Sequence, residues 1–122
     1  MKHLHEKNEQ FTVPNKSILD TFLTPGVGQV TMTQQEFTSL CPLTSQPDYA
    51  GIVVTYVPKD LCLESKSLKL YLASYRSYKG FAETITAKIQ KDIEEVLQCP
   101  VRVVTKFARR GGIDIESLAE SK

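Results

Sequence analysis

"FAETITAKIQKDIEEVLQ", residues 81–98, is the clearest helical pattern in the chain. Its apolar side chains recur every three or four residues and charged side chains fill the positions between them, as in an amphipathic helix. The apolar stripe is formed by Phe81, Ile85, Ile89, Ile93 and Val96. Pro100 is expected to end this helix, because proline lacks the N–H that would continue it. A helix with one apolar stripe must pack on another layer, and the flanking sequence indicates a sheet.

Strand patterns lie on both sides of this helix. Runs rich in Val, Ile, Thr and Tyr predict strands, and they are GQVTMTQQEF (28–37), AGIVVTYVP (50–58) and VRVVTKF (101–107). "ARRGGIDI", residues 108–115, predicts a Gly-Gly turn and a short final strand. The first two strands are expected to pair antiparallel.

A second helix is predicted over residues 63–79, where Leu68, Leu72 and Tyr75 form an apolar stripe. The element order is therefore β-β-α-α-β-β. It predicts an α+β fold in which a four-stranded antiparallel sheet carries both helices on one face. The other face and the edge strands would lack cover, which favours assembly into a homo-oligomer.

The length of 122 residues suits one domain. We expect a polar N-terminal arm over residues 1–25, a single domain over 26–118 and a short tail over 119–122. The arm begins with "MKHLHEKNEQ", which lacks the apolar core of a signal peptide. Its two histidines, His3 and His5, are interpreted as part of a polar tail, and no metal site is predicted.

Composition excludes several classes of protein. Fifteen basic and fourteen acidic residues leave a net charge of +1, which argues against a protein held on nucleic acid mainly by phosphate contacts. No apolar stretch approaches the roughly 20 residues needed to cross a bilayer. The three cysteines form no CxxC pair, so a disulfide scaffold and a zinc knuckle are both poor interpretations. We expect a cytoplasmic protein with at least one free thiol.

Cys41 is the first candidate for chemistry. A lone cysteine is more often a small buried apolar residue, and that interpretation holds for Cys62 and Cys99. Around Cys41, however, Pro42 and Pro47 restrict the loop, and Asp48 follows near the start of a strand. A thiolate nucleophile with a carboxyl as its acid partner suits a soft electrophile, since the chain offers no histidine for a protease-like triad.

Two further groups of residues admit both a structural and a functional interpretation. Lys66 and Lys69 lie on one face of the second predicted helix, where they either face water or hold phosphates. Glu83 in the first turn of its helix is either a dipole partner or, together with Phe81, a clamp for a guanine-like ring.

These residues together resemble a known family. "EFTSLCPLTSQPDYAGIVVTYVP", "LESKSLKLYLASYR", "GFAET" and "RRGGIDI" are similar to the 7-cyano-7-deazaguanine reductases, the NADPH-dependent nitrile reductases of queuosine biosynthesis. The resemblance covers residues 36–115, and the octapeptide "ESKSLKLY" is the most specific part. It implies the tunnelling fold, with subunits assembled into rings that stack as two pentamers to form a decamer, and an active site between subunits.

The resemblance also implies roles for the matched positions. Cys41 would attack the nitrile carbon to give a covalent thioimidate, and Asp48 would protonate the nitrogen. Two hydrides from two NADPH molecules would then give the primary amine. The substrate-binding residues would be Glu64, Phe81 and Glu83, and the NADPH phosphates would be held by Lys66, Ser67, Lys69 and Arg110.

One position departs from the family pattern. Family members commonly carry a histidine between the matching Phe and Glu, whereas this chain has Ala82, which cannot relay a proton. An archaeosine-synthase-like amidinotransferase, which acts on the same nitrile in tRNA without NADPH, is therefore an alternative. The retained "SKSLK" argues against it. A non-catalytic, purine-binding ring protein is a third interpretation.

Overall fold

The computed structural model describes residues 13–122. Its strands and helices are β1 (Thr21–Leu23), β2 (Val30–Leu40), β3 (Pro47–Tyr56), β4 (Leu61–Leu63), α1 (Ser65–Ala73), α2 (Ala82–Leu97), β5 (Val101–Arg110) and β6 (Ile113–Glu120). Short 3₁₀ turns occupy Lys16–Ile18 and Ser74–Ser77. The predicted order of four long strands and two helices is confirmed.

The main sheet has four antiparallel strands in the order β2-β3-β5-β6. Alternate residues of β3 and β5 are buried, from Ala50 to Tyr56 and from Val101 to Phe107, because successive side chains of a strand point to opposite faces. Two irregularities interrupt the pairing, one between Gln34 and Phe37 and one between Phe107 and Arg110. The second one lies beside the candidate site.

Both helices cover the buried face of this sheet. In α2, Ile85, Ile89 and Ile93 are fully buried, and the helix contacts β5 and β6. In α1, Leu68 and Leu72 are buried as predicted, and the helix contacts β2. The helix α2 ends at Gln98, whose left-handed backbone (φ 56°) precedes Pro100 by two residues.

A second sheet of two strands pairs β1 with β4 and was not predicted from the sequence. The hydroxyl of Tyr56 accepts a hydrogen bond from the amide of Leu63 over 2.8 Å, which ties this small sheet to β3. Strands of three residues are too short to display a period in the sequence.

The chain ends differ from the predicted boundaries. Ile18 and Leu19, within the segment expected to be an arm, lie in the hydrophobic core. At the other end, β6 continues to Glu120, and the hydroxyl of Ser121 accepts from the amide of Val101 over 2.9 Å. The interpretation of His3 and His5 falls outside the described residues.

Candidate active site

The loop between β2 and β3 presents Cys41 in a hydrogen-bonded turn. The amide of Cys41 donates to the carbonyl of Gln46 over 2.8 Å, and the amide of Ser45 donates to the carbonyl of Cys41 over 2.9 Å. Ser45 has a left-handed backbone with φ 61°, an uncommon conformation for a residue with a side chain. The turn is thus closed by backbone contacts that fix where the thiol lies.

Cys41 is half-buried. The hydroxyl of Thr44, followed by the amides of Thr44 and Leu43, lowers the pKa of Cys41 below its ordinary value. Desolvation and the charge of Asp48 act in the opposite direction and are smaller causes. Hydrogen bonds to the sulfur favour the thiolate, which is the nucleophilic form. Sequence analysis missed Thr44, although a hydroxyl three residues after a cysteine in a tight loop was a usable signal.

Asp48 lies at the start of β3 and forms an ion pair with Arg110. The Arg110 Nε atom is 3.0 Å from the Asp48 Oδ1 atom, and 21% of the Asp48 side chain is exposed. Arg110 also donates to the Gln46 Oε1 atom over 3.0 Å and to the carbonyl of Pro47. The prediction placed Arg110 at the NADPH phosphates. Here its guanidinium is bound to the loop that carries the candidate catalytic residues.

The start of α2 lies beside the same loop. The amide of Leu40 donates to the carbonyl of Tyr78 over 2.9 Å, and the amide of Gly80 donates to the carbonyl of Leu40 over 3.1 Å. These two bonds form an isolated parallel bridge one residue before Cys41. Phe81 follows at the N-cap of α2 with 55% of its side chain exposed, and Glu83 is exposed in the first turn.

The motif at the start of α1 has a structural role of its own. Glu64 is the N-cap, and its two carboxylate oxygens accept from the amides of Lys66 and Ser67 over 2.7 and 2.8 Å. The hydroxyl of Ser67 is buried, with only 1% of the residue exposed. It accepts from the amide of Asp20 and contacts the carbonyl of Glu64, both at 2.8 Å. The prediction that Ser67 holds phosphate is therefore corrected, because its hydroxyl is buried and hydrogen-bonded to groups of the protein.

Lys66 and Lys69 differ from Ser67 because they reach the surface of α1, half-exposed and exposed respectively. Lys69 lines a cleft of about 220 Å³ between α1 and β2, together with Ser65, Thr33 and Gln34. The amino end of a helix carries a positive partial charge that adds to the two ammonium groups. Two cations on the first turns of α1 fit an anionic ligand.

The predicted site residues thus fall into two groups. The loop group consists of Cys41, Asp48, Phe81 and Glu83, and the α1 group consists of Glu64, Lys66 and Lys69. Gln34 lines the same cleft as Lys69 and is seven positions before Cys41 in the chain. At the usual rise per residue of a strand, this separation is roughly 20 Å. A single chain does not bring the two groups together.

A family model described as "QueF-like protein" matches residues 47–122 of the chain. The chain belongs to the QueF-like protein family. This result establishes the family that the motifs predicted, since the match covers β3 and every element that follows it.

Three relatives of this QueF-like chain carry the same name. The NADPH-dependent 7-cyano-7-deazaguanine reductase of Syntrophobacter fumaroxidans is 40% identical over 112 residues, covering 88% of this chain and 72% of that protein. The protein of that name from Helicobacter pylori strain G27 is 42% identical over 120 residues, covering 95% and 81%. A third, from Streptococcus thermophilus, is 54% identical over 82 residues, covering 66% of this chain and 50% of that protein.

A solved structure supports the fold assignment. The crystal structure of the archaeosine synthase QueF-Like in the apo form superimposes with a TM-score of 0.74, covering 79% of this chain and 95% of that chain at 23% identity. At this level of identity the likeness concerns the fold alone. The predicted tunnelling-fold subunit is confirmed.

The family's histidine position is occupied by Ala82, the first residue of α2. Its carbonyl accepts from the hydroxyl of Thr86 over 2.7 Å, and that hydroxyl also contacts the Thr105 hydroxyl at 2.7 Å. The methyl group of Ala82 has no exchangeable proton, so this side chain cannot transfer one.

Residues 13–122 contain neither a membrane-spanning helix nor a cluster of metal ligands. No helix in that range is long and apolar enough to span a membrane. Nor do three His, Cys, Asp or Glu side chains in that range group as metal ligands would.

Proposed function

We propose that this chain is an NADPH-dependent nitrile reductase that converts 7-cyano-7-deazaguanine to 7-aminomethyl-7-deazaguanine in queuosine biosynthesis. The observation that carries the proposal is the Cys41 thiol, whose pKa is lowered by Thr44 and by loop amides, in the same loop as Asp48. Relatives bearing the reductase name match most of the chain. Their name agrees with the chemistry that this loop favours.

The first step joins Cys41 to the substrate. The sulfur attacks the nitrile carbon, one π bond of the C≡N group opens, and the nitrogen takes up a proton. That proton comes from the Cys41 thiol and passes through the Asp48 carboxylate, so the step is balanced without another reactant. A nitrile accepts hydride poorly until such an addition has taken place, and a covalent intermediate divides the hard step into easier ones.

The base itself is held by side chains at the amino end of α2 and at the cap of α1. The exposed ring of Phe81 offers a stacking surface, and Glu83 accepts from the N–H groups of the deazaguanine edge. Glu64, which belongs to the α1 group, supplies a second hydrogen-bond acceptor for the base. Each of its oxygens accepts one backbone N–H, and a carboxylate oxygen has a further lone pair to offer.

Lys66 and Lys69 fit the cofactor, because a half-exposed and an exposed cation at a helix amino end match the charge of its phosphates. NADPH, when bound, supplies the hydride that reduces the thioimidate carbon, and a second molecule completes the reduction to the amine. The chain's own part is to hold the phosphates through these lysines and to keep the covalent adduct at Cys41. Ser67 serves this arrangement only by holding the start of α1.

The distance between the two groups supports a homo-oligomer in which one subunit supplies the loop group and its neighbour supplies the α1 group. Rings of the tunnelling fold, stacked as two pentamers, would meet this need. All the proposed residues fall within 26–118, the segment predicted to be the catalytic domain. A reducing compartment such as the cytoplasm suits an enzyme whose nucleophile must stay a thiol.

The proposal is tested by incubating the chain with 7-cyano-7-deazaguanine alone and measuring its intact mass. We expect one molecule of base to add to the wild type and to Cys62→Ala, whose thiol is buried elsewhere, and none to add to Cys41→Ala. A wild-type chain that gains no mass, while it binds the base, would indicate a non-catalytic binding protein.

A second candidate function is favoured by one observation, the alanine at position 82. An amidine-forming enzyme would make the same adduct but consume no NADPH. Following NADPH absorbance while the product mass is recorded separates the two, since the reductase yields an amine and oxidises two molecules of NADPH for each one.

A further inference from the structure

Arg110 contacts the candidate catalytic loop through all three nitrogen atoms of its guanidinium group. Its Nε atom is 3.0 Å from Asp48 Oδ1, and its Nη1 atom donates to Gln46 Oε1 over 3.0 Å. Its Nη2 atom donates to the carbonyl of Pro47. The three guanidinium nitrogens therefore contact three consecutive residues, and the planar group holds them in one orientation.

The neighbouring arginine makes a different set of contacts. Arg109 donates to both carboxylate oxygens of Asp114 at 2.9 Å, within its own hairpin. The pairing of β5 with β6 shifts between Phe107 and Arg110, and such an irregularity redirects the side chains that follow it. At this shift the two arginines point to different partners. Arg109 binds Asp114 within the β5–β6 hairpin, and Arg110 binds the loop between β2 and β3 and the start of β3.

We propose that Arg110 is a positioning residue for the addition of Cys41 to the nitrile, and that it acts by holding the Asp48 carboxylate, the Pro47 carbonyl and the Gln46 side chain. The inference rests on the proposed function. In the addition, the S–C bond forms, one C–N π bond breaks, and the thiol proton reaches the nitrogen through Asp48. The ion pair orients that carboxylate, and the Pro47 and Gln46 contacts fix the strand start from which Asp48 projects.

The contacts also argue against Arg110 as a phosphate ligand. Its charge is already opposed by Asp48, and each of its nitrogen atoms has an acceptor within the chain. Binding a phosphate would require these contacts to break. Lys66, which is half-exposed, and Lys69, which is exposed, lie on another element and need no such exchange.

The test measures adduct formation on the full chain without NADPH. Wild type, Arg110→Ala, Arg110→Lys and the matched control Arg109→Ala are mixed with 7-cyano-7-deazaguanine at several concentrations, and the adduct is followed by intact mass. We expect Arg110→Ala to lower the limiting rate by about 10- to 100-fold, as a misplaced catalytic group does, with little change in the base concentration that gives half of that rate. Arg110→Lys should recover part of the loss, and Arg109→Ala should match the wild type.

A double-substitution cycle distinguishes positioning from a general loss of folding. If Arg110 acts through Asp48, Arg110→Ala adds little to the loss of about 100-fold or more expected for Asp48→Asn. Multiplied effects in the double variant would overturn the inference. So would an Arg110→Ala chain that forms adduct at the wild-type rate and only needs more NADPH in turnover.

The same experiment separates the two levels of the argument. A wild-type chain that forms no adduct removes the proposed function and with it the role of Arg110. A wild-type chain that forms adduct beside an equally fast Arg110→Ala removes the positioning role alone.

Discussion

The amide of Leu40 donates a hydrogen bond to the carbonyl of Tyr78 over 2.9 Å, and the amide of Gly80 returns one to the carbonyl of Leu40 over 3.1 Å. This bridge joins the end of β2 to the segment before α2, although the two are far apart in the sequence. It is the contact that sets Phe81 and Glu83 near the loop of Cys41.

Gly80 is expected to be required for that bridge. A Cβ atom there would lie 2.8 Å from Tyr78 Cε2, closer than real Cβ atoms approach, and 3.1 Å from Ile85 Cγ1, tighter than most such contacts. Gly80→Ala should lower the free energy of unfolding by about 1–3 kcal/mol through overpacking and should slow adduct formation. Gly28→Ala is the matched control, because nothing lies within 4 Å of its Cβ. Urea unfolding measures the stability of the two variants, and equal stabilities would contradict the prediction.

Thr44 is expected to control the ionisation of Cys41. Its hydroxyl is the largest cause of the lowered pKa, so at a fixed neutral pH the wild type holds more thiolate than an ordinary cysteine. Thr44→Val should raise the pKa, and the rate of iodoacetamide alkylation should then reach half its maximum at a higher pH. Thr44→Ser keeps the hydroxyl and should follow the wild-type curve. Superimposed curves for valine and wild type would remove Thr44 from the site.

In the same experiment Cys99 should react later than Cys41. It is buried, and desolvation raises its pKa. Peptide mapping of the alkylated chain identifies which thiol has reacted, so the pH curve can be assigned to Cys41 alone.

Glu64 is expected to contribute to stability as well as to binding. Because its carboxylate caps α1 through the amides of Lys66 and Ser67, Glu64→Ala should cost about 0.5–2 kcal/mol, the usual range for a lost N-cap. Ser65→Ala, an exposed position in the same turn, is the control and should stay within about 0.5 kcal/mol of wild type. Thermal unfolding compares them, and an unchanged melting temperature for Glu64→Ala would mean that the cap is dispensable.

Ala82→His tests whether the native site lacks a proton donor. Ala82 is half-buried at the first position of α2, next to the proposed stacking residue. We expect the affinity for the base to change little, since Phe81 and Glu83 are kept. Turnover of NADPH is expected to rise by about 10²-fold if a general acid is missing. Turnover equal to that of the wild type would show that Asp48 and solvent already supply the protons.

Much of the fold could be predicted because period and burial agree. The predicted stripes of α1 and α2 are buried apart from Phe81, which is exposed at the N-cap of α2, and Val96, which is half-buried. The predicted strand segments form β3 and β5, whose alternate residues are buried. The small sheet of β1 and β4 could not be predicted, since its stability comes from tertiary contacts such as the one between Tyr56 and Leu63.

The candidate site was predictable in its residue types but less so in its contacts. Cys41 and Asp48 stand out because their loop is rich in proline. The partnership of Arg110 with Asp48 depends on a shift in strand pairing, which leaves no mark in composition or spacing. The commitment of Ser67 to the interior likewise depends on Asp20, a residue 47 positions away in the chain.

The roughly 20 Å between Cys41 and the cleft at Lys69 has a genetic consequence. If neighbouring copies complete each other's sites, a chain damaged only at its thiol and a chain damaged only at its lysines are each inactive alone. When the two chains are co-expressed, some subunit interfaces would combine the intact thiol of one chain with the intact lysines of the other, and activity would return. Such complementation between two defective alleles distinguishes a shared site from one confined to a single polypeptide.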